Sequence, residues 1–253
     1  MYARCHHVDS SAMSGSFRFT TTRWSMVEAA ASDDLDARRA ALDAFTRQYT
    51  APCVSWLRAN GCGADQAEET TQNFLVEVVI NRQLLSNARR VSGPLRALVL
   101  RALRNHATDL ARRRSARDRH EAAAAAQQAA ESESEQSYQP DLGFDADWAR
   151  AQLEEAIARG CSRALALGKH SAWRAFELRV LHPAVHGRLE PEYDEVAREA
   201  GLIDAARAHV LVREMRMLVL SALDEVVSET AREPAEVEAE IAYIRECLGA
   251  MGR

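Results

Sequence analysis

An all-α fold is what this sequence predicts, and three observations predict it. Alanine, leucine, arginine and glutamate dominate the 253 residues, while glycine and proline are sparse at 11 and 6, a balance that favours helix over strand. Apolar residues recur at helical spacing in long windows. Capping residues and glycine stops punctuate those windows. The expected architecture is two small helical domains joined by a flexible acidic linker.

Residues 1–19 carry no periodic pattern and are expected to be disordered, with Met13 competing with Met1 as the start. From Thr20, TTRWSMVEAAASDD offers an N-cap and a short helix bearing Trp24 and Val27. A longer helix follows at about 35–60, with Leu42, Phe45, Tyr49, Val54, Trp56 and Leu57 apolar and Gly61 as its stop. Asp65 caps a third helix over about 65–84, whose apolar side is Phe74, Leu75, Val78, Val79 and Leu84. Ser92-Gly93-Pro94 opens a fourth, since proline is tolerated in a first turn. In it Leu95, Leu98, Val99, Ala102, Leu103, His106 and Leu110 form one continuous helical stripe.

Composition then changes abruptly. EAAAAAQQAAESESEQSYQPD (121–141) is poor in core residues, and its second half reads as a linker, assigned to 121–145. It separates a first domain at 20–120 from a second at 146–228. In the second domain HPAVHGRLEP (182–191) reads as a loop. After it come a short helix ending at Gly201, a tight turn with Leu202 and Ile203, and a longer helix capped by Asp204: the helix-turn-helix outline. An acidic helix with Val237, Ile241, Ile244 and Leu248 on one side closes the chain at 229–253.

The charge pattern is the strongest functional signal. The chain has net charge -5, yet residues 82–119 hold eleven Arg against two Asp. Arginine is always ionised and its planar fork matches phosphate oxygens, so such a face suits a nucleic-acid backbone. Catalytic signatures do not appear: there is no GxxxxGK[ST], GxGxxG, HExxH or GxSxG. Glu68 and Glu69 are adjacent, but neighbouring helical positions diverge by about 100° and cannot face one another. No enzyme activity is expected. The five cysteines (Cys5, Cys53, Cys62, Cys161, Cys247) are scattered, odd in number and without a CxxC pair, which fits a reducing compartment better than a disulfide framework or zinc site. Cys5-His6-His7 lacks further ligands at metal spacing. No metal or cofactor is expected. No apolar run approaches the roughly 20 residues of a membrane span and nothing reads as a signal peptide, so the expected location is the cytoplasm.

Four stretches resemble the sigma-70 family of bacterial RNA polymerase sigma factors, of the small extracytoplasmic-function type. TTRWSMV (21–27) is similar to the N-terminal segment of one subgroup, whose tail SETAREPAEVEAEIAYI also resembles. ADQAEETTQNFLVEVV (64–79) resembles region 2.2. GPLRALVLRALRNHATDLARRRSARDR (93–119) resembles regions 2.3 and 2.4, with Arg96, Leu98, Asn105, Asp109 and Arg112 in the family's places. YDEVAREAGLIDAARAHVLVREMR (193–216) resembles the region 4.2 helix-turn-helix.

The resemblance implies a non-catalytic subunit that binds core RNA polymerase and directs it to promoter DNA. Carried over, Glu68, Glu69, Gln72 and Asn73 would contact the polymerase. Arg96, Arg101, Arg104, Asn105, Arg112, Arg113 and Arg114 would hold the melting -10 element, and Arg207, His209, Arg213 and Arg216 would meet the -35 element. An anti-sigma inhibitor is a further implied partner. The two promoter sites, about two helical turns apart, are roughly 70 Å from one another, and an extended linker of about 25 residues spans about 80 Å. The chain departs from the family where Glu214, Met215 and Met217 interrupt the basic run of the second helix, and where Ala97 replaces an aromatic residue. Two other readings stay open: a helix-turn-helix regulator that never joins polymerase, and a sigma-like interaction protein that does not start transcription.

Overall fold

A computed structural model describes residues 24–81, 84–85, 94–122 and 141–251 of the chain. Among them every regular element is helical. In order these are α1 (Ser25–Ala30), α2 (Leu35–Ala59), α3 (Ala64–Phe74), α4 (Leu95–Ala122), α5 (Leu142–Ala166), α6 (His170–Phe176), α7 (His182–His186), α8 (Tyr193–Ala200), α9 (Ala205–Ser228) and α10 (Pro234–Met251). Two π-helical stretches, Leu75–Asn81 and Glu177–Leu181, continue α3 and α6.

Local chemistry sets several helix ends. The Asp34 side chain accepts hydrogen bonds from the backbone N–H groups of Asp36 and Ala37 at 2.9 and 3.2 Å, satisfying donors that the first turn of α2 leaves free. Asp141 does the same for Phe144 at the start of α5, and Asp204 for Arg207 at the start of α9. Gly201 ends α8 at φ 67°, a left-handed conformation that glycine adopts without steric cost.

Helix α5 organises the molecule, because it packs against α2 along one part of its length and against α9 along another. Gln152 meets Gln48 of α2, while Arg159 grips Glu229, just past the end of α9, and Arg163 grips Glu225 within it, each with both ends of the guanidinium. At Gly160 an added Cβ would lie 2.9 Å from the Val219 side chain, so the absence of one is what lets the two helices approach. Burying Phe45, Tyr49, Phe74, Phe144, Trp148 and Met215 supplies about 1.5–3 kcal/mol for a side chain of Leu, Phe or Met size.

Three sequence expectations change. The buried residues of both expected domains belong to one continuous core, joined through α5. The expected linker falls mostly outside the described residues, and its last part, 141–145, is instead the cap and first turn of α5. The expected loop at 182–191 begins with the helical turn α7, which tolerates Pro183 in its first turn because that position needs no N–H donor. The expected disordered stretch 1–19, with Cys5-His6-His7 and the Thr20 cap, lies outside the described residues. Trp24 itself precedes α1 at φ 66°.

Trp24 closes the circuit of the fold. Its N–H donates to the Ser228 carbonyl at 2.8 Å, and the Met26 N–H donates to Glu229 at 3.2 Å. The free donors at the start of α1 thus cap free acceptors at the end of α9. The Arg232 guanidinium sits 4.6 Å from the Trp24 ring centre. The TTRWS segment and the SETAR segment, far apart in sequence, therefore meet at Trp24.

Candidate nucleic-acid interface

Helix α4 has a buried and an open side. Leu95, Val99, Leu100 and Leu103 are buried, and His106 packs against Phe74 of α3 at 5.8 Å between ring centres. Arg101, Asn105, Thr108 and Arg112 are exposed. At 100° per residue these four fall within a 60° arc, so they form one row along the helix. Arg113 is exposed beside that row; the Arg114 side chain lies outside the described residues.

Two of the expected cations are occupied. Arg104 is partly buried, with its guanidinium 3.8 Å from Asp141 and 5.9 Å from the Trp56 ring centre. Arg96 does not belong to the open row: it is 7% exposed. Its Nε and Nη2 donate to the two oxygens of Glu240 at 3.0 and 3.2 Å, and its Nη1 donates to Asp145 at 3.1 Å. Tyr243 lies 4.1 Å and Trp148 5.3 Å from the guanidinium carbon, and the Tyr243 hydroxyl donates to the other Asp145 oxygen at 2.8 Å. Burial pushes the Glu240 carboxyl above its ordinary range, against the pull of Arg96 beside it. Arg96 is one turn and a half from Arg101, on the core side of the same helix, which is why its guanidinium meets α5 and α10 instead of solvent.

On α3, Glu68, Glu69, Gln72 and Asn73 are all exposed, as the alternate face to buried Ala67, Thr70, Thr71 and Phe74. The row Glu68–Gln72 continues at the same spacing into Val76 and Ile80, which are 52% and 41% exposed. The sequence reading missed this apolar extension; the i, i+4 spacing from Gln72 was the signal for it.

The helix-turn-helix forms as expected from α8, Gly201 and α9, held by a Leu202 N–H bond to the Ala197 carbonyl at 2.8 Å. Val196, Ala200, Ala208, Leu211 and Val212 are buried within it. Arg207, His209, Arg213 and Arg216 are exposed on α9; His209, Arg213 and Arg216 fall within a 60° arc, and Arg207 lies about 120° from Arg213. Helical geometry puts Arg213 at the middle of the open side, His209 and Arg216 on one edge and Arg207 on the other. His209 lies edge-on to Tyr193 at 5.1 Å, and Glu214 pairs with Lys169. Between the cations run Val210, Met217 and Leu220, 54%, 60% and 45% exposed.

No protein-family model, no curated protein and no solved structure matches this chain. Among the described residues no group of three or more His, Cys, Asp or Glu could hold a metal ion, and no helix is long and apolar enough to cross a membrane. Burial pushes the Cys53 thiol up, which keeps it in its inert protonated form.

Proposed function

We propose that the chain is a sigma-type initiation subunit of bacterial RNA polymerase, non-catalytic and acting in the cytoplasm. The observation that carries this reading is the row Arg101–Asn105–Thr108–Arg112 on a helix whose other side is packed into the core. A rigid cationic row suits the phosphates of a single strand, and Asn105 within it offers a donor and an acceptor to an unstacked base. The exposed Glu68, Glu69, Gln72 and Asn73, extended by Val76 and Ile80, suit a protein surface, which here is core polymerase.

The mixed side of α9 favours a second reading at that element. Val210, Met217 and Leu220 suit an inhibitor or another protein helix better than a phosphate backbone. In that reading the chain binds polymerase without reading a -35 element.

Two measurements test the proposal. Full-length protein should co-purify with core polymerase and support run-off transcription from its promoter; no association overturns the reading. Replacing Arg101 and Arg112 together by Ala should weaken open-complex formation on the order of tenfold or more, and lower its salt slope by about 1.4, since each phosphate contact contributes about 0.7 on a single strand. Polymerase binding should remain. If polymerase binding is lost instead, the α4 row docks protein.

A further inference from the structure

The contacts that occupy Arg96 and Arg104 come from beyond the acidic stretch: Asp141 and Asp145 at the start of α5, and Glu240 on α10. Three carboxylates of the second half of the chain therefore hold two arginines of the helix that carries the open cationic row. The Trp56 indole N–H of α2 donates to the same Asp141 at 2.7 Å. This part of the contact between the halves is polar and incompletely satisfied. Gln152 and Gln48 share one bond at 3.3 Å, and the other amide groups of both, Gln48 Nε2 and Gln152 Oε1, have no partner among the described residues.

Such a junction differs from the α5–α9 contact, which Gly160 closes tightly and two doubly bonded arginines reinforce. A buried ion pair adds little net stability, because desolvating its charges offsets most of their attraction. Exchanging carboxylates for phosphates on Arg96 and Arg104 is then nearly balanced, and a half-satisfied amide pair adds little resistance to opening. Phe144 and Trp148 supply the apolar part of the contact.

We propose that this junction is an autoinhibitory latch, in which Asp141, Asp145 and Glu240 stand in for nucleic-acid phosphates on Arg104 and Arg96 and hold the halves closed until a polyanion competes. The proposal rests on the nucleic-acid reading of α4 and deepens it. Opening frees both arginines and unpins α5 from α2 and α4. Closed, the described part of α4 offers Arg101, Arg112 and Arg113 to a strand. Open, it offers a longer cationic track.

The test uses full-length protein and a fluorescein-labelled single-stranded 20-mer DNA as probe, with anisotropy as one readout and radius of gyration in solution as the other. Asp145→Asn with Glu240→Gln should expand the protein and tighten binding about tenfold, which is about 1.4 kcal/mol. Removing charge alone has an electrostatic effect, so Glu238→Gln with Glu246→Gln, exposed on the same helix α10, is the matched control and should change affinity less than about twofold. Trp56→Phe, which removes the bond to Asp141 and shrinks the ring beside Arg104, is the milder variant and should tighten binding about twofold to threefold; it decides the matter if the double variant loses its helical signal. The latch is overturned if the junction variants stay compact, or if they open and bind no tighter than the control. Failure to bind the 20-mer by wild type and open variants alike at low salt instead sinks the nucleic-acid reading, and with it the guarding role of the latch.

Discussion

Glu225 illustrates how single side chains set this protein's response to pH. Its hydrogen bond from Arg163 holds the carboxyl below its ordinary range. A carboxyl depressed in the folded state contributes stability that is fully present above its unfolded value, about 4.3, and is lost as pH falls through the lower folded value. Both partners are partly open to solvent, with side chains 41% and 26% exposed, so the contribution is below about 1 kcal/mol. Glu225→Gln should therefore lower the urea midpoint slightly at neutral pH and flatten its decline between about pH 5 and pH 3. An unchanged acid limb would show that Arg163 is satisfied by water in solution. At this scale the sequence was legible where a side chain's partner is near in the chain, as with the cap Asp204, although Asp65, expected to cap α3, lies inside its first turn behind Gly63. It was opaque at Arg96, whose carboxylate partners lie 49 and 144 positions away.

Helix identity was largely legible because the apolar period of 3.6 is a local property of the chain. The stripe from Leu95 to Leu110 lies against the rest of the fold as expected, although Leu98, Ala102 and Leu110 are only partly buried. Elements set by weaker signals differed: α7 forms where a loop was expected, and the π-helical stretch Leu75–Asn81 carries Val76 and Ile80 to the open side of α3. Helix crossings were not legible at all, and Gly160 shows why, since its role depends on Val219 of another helix. Gly160→Val should lower stability by about 2 kcal/mol, because the added methyls force apart a contact that tolerates no Cβ without a shift. The midpoint of chemical denaturation measures this. A neutral result would mean that α5 and α9 separate at little cost.

The described fold is closed by contacts between elements far apart in the chain: Trp24 on the end of α9, and α10 on Arg96 of α4. With α5 shared between the halves, unfolding of the wild type should be a single transition, coincident by far-UV dichroism and by tryptophan fluorescence. In the Asp145→Asn, Glu240→Gln variant the two probes should separate, since the junction no longer couples the halves. Coincident transitions in that variant would mean that Phe144 and Trp148 suffice to couple them. The expected separate domains were read from an acidic, core-poor stretch, a compositional signal that reports what a segment lacks and not what its flanks touch.

By itself the sequence determined the helical class, most helix bounds, the helix-turn-helix and the cationic character of α4, because periodicity, caps and charge are carried by residues close together in the chain. Only the tertiary structure decided that α5 packs on both halves, that Arg96 faces inward, and that exposed apolar side chains run between the candidate cations of α9. Those outcomes depend on which helical faces meet and which distant carboxylates arrive with them. The chain writes down each face; the packing selects its partner.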